Sequence, residues 1–124
     1  MASAPLPMPP LPAVLVGERG HRLYVLPPED VDYIESQGNY VRLHAGDADF
    51  ISRDSIKHLE STLARSGFLR IERSLLVNIR AIVYGQRAGR GTFLFSLRSG
   101  ASVRSGARFR HGILRVIPLV RPRE

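Results

Sequence analysis

The 124-residue sequence contains no cysteine, which excludes disulfide bonds, thiolate nucleophiles and zinc sites with cysteine ligands. Long apolar runs are missing too: a membrane-spanning helix needs roughly 20 apolar residues, and the longest runs here are only a few residues. The N-terminus has prolines where a signal peptide would have an apolar helix. We therefore expect a cytoplasmic protein that makes no contact with a membrane.

Motifs for catalysis and for cofactor binding are also missing. The sequence has four scattered histidines, with no acid or nucleophile at motif spacing: His21, His44, His58 and His111. It has no phosphate-binding loop and no pair of metal ligands. We expect a protein that is not an enzyme and that uses no cofactor or metal.

Acidic side chains are scarce in the second part of the chain. Residues 1–69 hold nine acidic and six basic side chains, whereas residues 70–124 hold twelve arginines and only Glu72 and Glu124. The two parts therefore carry net charges of about −3 and +10. A GC-rich genome would raise the arginine content everywhere, but it would not separate the charges. The separation favours an anionic polymer as the partner, because arginine binds phosphate through paired hydrogen bonds.

The chain is predicted to form one domain over residues 13–118, closed by Pro118. Residues 1–12 contain five prolines and no charge, so we interpret them as a flexible tail or linker, or as the truncated junction with an upstream domain. Residues 119–124 form a short basic tail.

Alternating apolar residues, separated by turn signals, predict a mainly β domain with two short helices. Ser52 is the expected N-cap of the first helix, and the second is expected over residues 106–116. Gly38 and Asn39 suit positive φ angles in a hairpin turn. The predicted strands cover residues 13–16, 22–26, 31–36, 40–45, 48–51, 68–71, 74–77, 81–86, 92–98 and 101–104. The predicted apolar helix faces are Ile56, Leu59 and Leu63 in the first helix, and Phe109, Ile113 and Val116 in the second.

The segment from Phe68 to Asn78 carries the strongest functional signal. Its apolar residues require a core, whereas Arg70, Glu72 and Arg73 require water or an anion. Strand spacing alone would place the two arginines on opposite faces, unless the chain bends between them. Guanidinium groups suit phosphate oxygens and the acceptor edge of guanine, so a nucleic acid is the first ligand to consider.

This segment resembles the R-x-x-R-S-x-x-V-N signature of LytTR domains, which are DNA-binding modules of bacterial response regulators. Residues 31–43 resemble the family's opening hairpin, and residues 52–63 resemble its mid-domain helix. Residues 103–113 resemble its closing V-x-x-S-R-R-Y-like segment. The resemblance covers residues 20–117. It departs from the family at the first basic position of the closing segment, where Ala107 stands before Arg108.

The resemblance implies elongated, layered antiparallel sheets with two short helices. It implies sequence-specific binding of double-stranded DNA for transcription control, with loops rather than a recognition helix entering successive major grooves. Direct repeats bound by a pair of domains, a homodimer on DNA, and an upstream sensory or receiver domain of a two-component system follow from the same resemblance.

Resemblance and local charge together nominate nine DNA-binding residues: Asn39, Tyr40, Arg42, Arg70, Arg73, Ser74, Arg104, Arg108 and Arg110. Arg73 and Arg108 are expected to contact bases, and Arg104 is expected to contact phosphate at a strand end. A structural interpretation stands beside each: Arg70 or Arg73 could pair with Glu72, while exposed helix faces often carry arginine.

Several loop residues allow a structural interpretation beside the functional one. Asn39 could serve only turn geometry, Tyr40 could serve packing, and Asn78 is interpreted as structural. Arg87 and Arg90, on a glycine-bearing hairpin loop, could follow a phosphate backbone or could be ordinary exposed residues.

Two other functions share part of this evidence. A non-specific or RNA-binding β module would use the same charge, but it should display stacking aromatics on a sheet face. A protein-interaction or sensing domain would not need the one-sided arginine distribution.

Overall fold

A computed structural model describes residues 13–117, which form ten strands and two short α-helices and confirm the predicted mainly antiparallel β fold. The segments predicted as an N-terminal linker and a basic tail, and the closing Pro118, lie outside the described residues. The strands are β1 Leu15–Arg19, β2 Arg22–Leu26, β3 Tyr33–Gln37, β4 Tyr40–Ala45, β5 Ala48–Ser52, β6 Phe68–Glu72, β7 Leu75–Asn78, β8 Ile82–Arg87, β9 Phe93–Leu97 and β10 Ser102–Arg104. The helices are α1 Ile56–Thr62 and α2 Arg110–Val116, with 3₁₀ turns at Pro28–Asp30, Ala64–Ser66, Ile79–Ala81 and Ala107–Phe109.

The strands form two sheets that lie in successive layers. The first has seven strands in the order β2-β1-β5-β4-β3-β7-β6, and the second has three in the order β10-β9-β8. On β7, Leu76 belongs to the hydrophobic cluster that includes Leu59 of α1, whereas Val77 belongs to the cluster that includes Phe93 of β9. Because successive strand residues point to opposite faces, the larger sheet lies between α1 and the smaller sheet.

Two buried polar side chains, Asp32 and Asn78, stabilise the fold through hydrogen bonds. Asp32, only 2% exposed, accepts hydrogen bonds from Nε of Arg98 at 2.6 Å and from the Gly46 amide at 2.8 Å. The buried Asn78 side chain donates to the Val31 carbonyl at 3.0 Å and accepts from the Arg80 amide at 3.0 Å. The structural role predicted for Asn78 is therefore confirmed.

Three local predictions were wrong. Ser55, not Ser52, caps α1 by accepting from the His58 amide at 3.1 Å, because β5 extends through Ser52. Val116 is 48% exposed, so α2 buries only Ile113 fully. In the β3–β4 turn Gly38 has a φ of +64°, whereas Asn39 has no positive φ, which fits a turn with glycine in its first central position.

Within residues 13–117, no helix is long and apolar enough to cross a membrane.

Candidate nucleic-acid interface

The tight turn between β6 and β7 presents Arg73 to solvent. The pairing register of the two strands shifts between Arg70 and Glu72, so the chain bends where the arginine spacing required a bend. The turn consists of Arg73 and Ser74, and the Arg73 amide donates to Oε1 of Glu72 at 2.7 Å. The backbone beneath the exposed guanidinium is therefore fixed.

Arg70 lies under this turn rather than on its surface. Its side chain is 17% exposed, and Nη1 donates to Oε1 of Glu60 at 2.8 Å. Nε donates to the carbonyls of Glu72 at 3.0 Å and Arg73 at 3.1 Å, and Nη2 also donates to the Arg73 carbonyl. The acidic partner of Arg70 is thus Glu60 of α1, not Glu72 as the sequence suggested, and Arg70 braces the turn from below.

A second set of arginines lies around the 3₁₀ turn Ala107–Phe109. Arg104 ends β10, Arg108 lies in the 3₁₀ turn and Arg110 begins α2, and all three are exposed. The buried Ser105 anchors this segment: its amide donates to the Phe93 carbonyl at 2.9 Å, and its hydroxyl accepts from the Phe93 amide at 2.8 Å.

Glu72 connects the β6–β7 turn with the 3₁₀ turn. A Cβ atom added to Gly106 would lie 2.5 Å from Oε2 of Glu72, so the carboxylate packs directly on the glycine backbone. The Gly106 amide also donates to the Ile71 carbonyl at 2.8 Å. As a result, Arg73 and Arg108 line one cleft of about 620 Å³ together with Glu72 and Phe109. The structure thus brings together the two arginines that the sequence nominated as base contacts.

The β3–β4 hairpin, which we call the first hairpin because it resembles the opening hairpin of the family, lies next to the Arg73 turn. The Ser36 amide of β3 donates to the Ser74 carbonyl at 2.8 Å. Asn39 is exposed at the hairpin turn, and the Tyr40 hydroxyl donates to Oε1 of Gln37 at 3.3 Å. These residues do not line the cleft of Arg73 and Arg108.

Asn39 and Tyr40 line a separate cleft of about 270 Å³, which also includes Arg53 and Lys57 at the start of α1. The sequence did not lead us to nominate Arg53 or Lys57. Their spacing of four residues around a helix start was the available signal.

Arg42 is engaged within the sheet. Its Nε donates to Oε1 of Gln37 at 3.2 Å, and Nη1 forms an ion pair with Asp49 of β5. The hydrogen bond between them raises the pKa of Arg42 and lowers the pKa of Asp49. A phosphate contact by Arg42, as nominated from the sequence, would have to compete with this pair.

Two histidines have acidic neighbours that the sequence did not indicate. Nε2 of His44 lies 3.1 Å from Oε1 of Glu35, and Nδ1 of His58 lies 2.8 Å from Oδ1 of Asp54. The described part of the chain contains no group of three or more side chains arranged to hold a metal ion.

Asn39 offers a direct test of the first hairpin, because its backbone does not require glycine. If the Asn39 amide contacts DNA, Asn39→Ala should leave the melting temperature nearly unchanged and weaken binding of a preferred duplex by about 1 kcal/mol or more, because that hydrogen bond is lost. Thermal melting and fluorescence anisotropy of the same preparation measure both. Unchanged binding would reject the contact.

Comparisons with known proteins identify the family and the fold of this chain. A LytTR family model, described as the LytTr DNA-binding domain, matches residues 21–117. A comparison with curated protein sequences gave no match. Among solved structures, the chain is similar to a LytTr DNA-binding domain of a putative methyl-accepting/DNA response regulator from Bacillus cereus. The TM-score is 0.80 at 21% sequence identity, and the alignment covers 86% of this chain and 97% of that one.

At 21% identity the structural similarity establishes the fold alone, and it confirms the layered β architecture with two helices. The family match extends over well more than half of the sequence. The chain therefore belongs to the LytTr family of DNA-binding domains, which serve transcription regulation.

Proposed function

We propose that this domain recognises a specific duplex sequence, with Arg73 and Arg108 contacting base edges and Arg104 contacting the phosphate backbone. The observation that carries the proposal is the shared cleft of Arg73 and Arg108, in which two exposed guanidinium groups belong to backbone turns fixed by Glu72. Arginine pairs bidentately with O6 and N7 of guanine, which gives sequence choice.

Preorganisation supports base contact at Arg73. Arg70 donates hydrogen bonds to Glu60 and to the carbonyls of the turn, so it orders the Arg73 turn in the absence of DNA. A turn that is already ordered loses less conformational entropy on binding. We therefore assign Arg70 a positioning role and leave the direct contacts to Arg73, Ser74 and Arg108.

The first hairpin supplies a second contact region in this proposal. Ser36 of β3 joins this hairpin to the Arg73 turn, and Asn39, Tyr40 and Arg42 follow Ser36 in the hairpin. Arg53 and Lys57 add positive charge to the cleft that Asn39 and Tyr40 line. Loops of this kind would enter successive major grooves. Binding to direct repeats by a pair of domains, and control by an upstream sensory or receiver domain joined through residues 1–12, complete the proposal. Each follows from the family resemblance, as does a cytoplasmic location.

The aromatic side chains disfavour the RNA-binding alternative. Phe50, Phe68, Phe93 and Phe95 are all buried, so they cannot stack on unpaired bases. Tyr84 is the aromatic residue with high exposure among the described residues, and a single ring does not make a stacking platform.

Selection of bound sequences from a random duplex pool tests the proposal directly. Recovery of a shared motif supports sequence-specific recognition. Recovery of the unselected base composition, with binding retained, would leave a non-specific DNA-binding module instead.

Salt dependence tests the phosphate contacts. We expect log affinity to fall by about 0.9 per log unit of salt for each phosphate contact, and Arg104→Ala to reduce that slope by about 1 while weakening all sequences alike. Anisotropy titrations from about 50 to 200 mM salt measure this. Glu18→Gln, an exposed change in the acidic part of the chain, is the matched control. Binding that does not depend on salt would contradict the proposal that arginines contact the DNA phosphates.

A further inference from the structure

The loop between β8 and β9 forms a second arginine-lined cleft, separate from that of Arg73 and Arg108. Its volume is about 190 Å³. Three charged side chains line it: Arg87 from the end of β8, Arg90 from the loop and Arg110 from the start of α2. The remaining lining residues are uncharged: Gly89, Gly91, Thr92 and Phe93.

The loop is held in an unusual backbone conformation. Gly89, Arg90 and Gly91 have φ angles of +90°, +45° and +79°, and Arg90 is the one non-glycine residue with positive φ in the described chain. Such a conformation is strained for a residue with a Cβ atom. Thr92 fixes it through its amide and hydroxyl, which donate to the Gly89 carbonyl at 2.9 Å and 2.6 Å.

Contact between α2 and the loop brings the third arginine to the cleft. A Cβ atom added to Gly91 would lie 3.2 Å from Cδ of Arg110, so the arginine stem passes directly over the glycine. Arg104, the proposed phosphate contact, also approaches this loop, with Nη1 at 3.4 Å from the Ala88 carbonyl.

Nothing in the described structure neutralises these charges. None of the three arginines forms an ion pair with a described carboxylate, whereas Arg42, Arg70 and Arg98 all do. Three like charges around one small cleft repel each other unless an anion enters. The planar guanidinium donors match the oxygens of a tetrahedral phosphate.

We propose that this cleft binds one backbone phosphate of the same duplex, beside the base pairs contacted by Arg73 and Arg108. The inference rests on the proposed function. The two clefts are close to each other because of the 3₁₀ turn Ala107–Phe109. Arg108 lines the first cleft, and Arg110, two residues later, lines the second. One short segment, from Arg108 to Arg110, would thus supply both a base contact and a phosphate contact.

Single methylphosphonate substitutions in the preferred duplex test the inference, because each removes the charge of one phosphate. The variant Arg87→Ala/Arg90→Gly removes two charges, and glycine accepts the positive φ at position 90 without strain. We expect wild-type binding to weaken at several substituted phosphates. The variant should lose its sensitivity at one of them and retain it at the others.

Salt provides a second readout of the same variant. The affinity for DNA falls as the salt concentration rises from about 50 to 200 mM. Loss of one phosphate contact should make this fall about 3.5-fold smaller for the variant than for the wild type. Arg22→Ala, which removes an exposed arginine from β2, should leave both the salt response and the methylphosphonate profile unchanged. Equal melting temperatures of the three proteins establish that the fold is intact.

The outcomes separate this inference from the proposed function. If the wild type binds its preferred duplex and the variant keeps the full methylphosphonate profile, the cleft is not a phosphate site and the inference is wrong. If the wild type binds no duplex, both fail. If inorganic phosphate at constant ionic strength shifts the Gly91 amide resonance but the methylphosphonate profiles agree, the cleft takes a small phosphate ligand, which also overturns the inference.

Discussion

Arg73→Ala is expected to weaken binding of the preferred duplex by about 1–3 kcal/mol, or roughly 5- to 150-fold. The effect on random DNA should be much smaller. A bidentate pair with guanine is formed only at the correct base, so its removal penalises only the correct sequence. Anisotropy titrations against matched specific and random duplexes measure the difference, and base preference should relax at one position.

Arg108→Ala is expected to behave in the same way at a different base position, because Arg108 lines the same cleft from the other turn. Arg104→Ala is the contrasting variant, since a lost phosphate contact weakens specific and random DNA alike. If the substitutions at Arg73 and Arg108 lower specific and random binding by one common factor, both residues bind the backbone, and our assignment of base readout is wrong.

Arg98→Ala is expected to lower the free energy of unfolding by about 2–4 kcal/mol. Asp32 is buried, and Arg98 supplies its charged partner across the two sheets, with one further bond from the Gly46 amide. Removing the guanidinium leaves a buried carboxylate without a counter-charge, which costs more than the ion pair contributes. We place the effect below the upper limit for buried pairs because Arg98 is 43% exposed, so water can partly replace it. Urea unfolding measures the change.

The double variant Asp32→Asn/Arg98→Met is the control for this prediction. It removes both charges and retains an amide that can accept from Gly46, so it should be less destabilising than Arg98→Ala alone. A loss below about 1 kcal/mol for Arg98→Ala would show that water hydrates Asp32 adequately and that the pair does not hold the sheets together.

Local pattern was sufficient for most of the architecture. Two-residue alternation predicted the strands, as in β9, where Phe93, Phe95 and Leu97 are buried. This worked because burial on one sheet face depends on side-chain spacing along a single strand. The sequence also determined the separation of charge and, through its motifs, the family.

Residues distant in sequence decided the rest. The partner of Arg70 is ten residues away on α1, and the partner of Asp32 is 66 residues away at Arg98, directly after β9. A period-two pattern cannot reveal such partners, because it describes one strand and not what packs against it. Arg70 and Arg73 look equivalent in the sequence, yet with the register shift between the strands Arg70 is half-buried and Arg73 is exposed.

The clefts show the same division. Arginine content is a property of the sequence, but which arginines share a cleft depends on tertiary contacts: the carboxylate of Glu72 against Gly106, and the stem of Arg110 over Gly91. Both contacts need a glycine opposite a long side chain from another element. The sequence determined that this protein has guanidinium groups to offer an anion. Only tertiary packing decided where they converge, because the close approach of a long side chain to a distant glycine is not encoded in either segment alone.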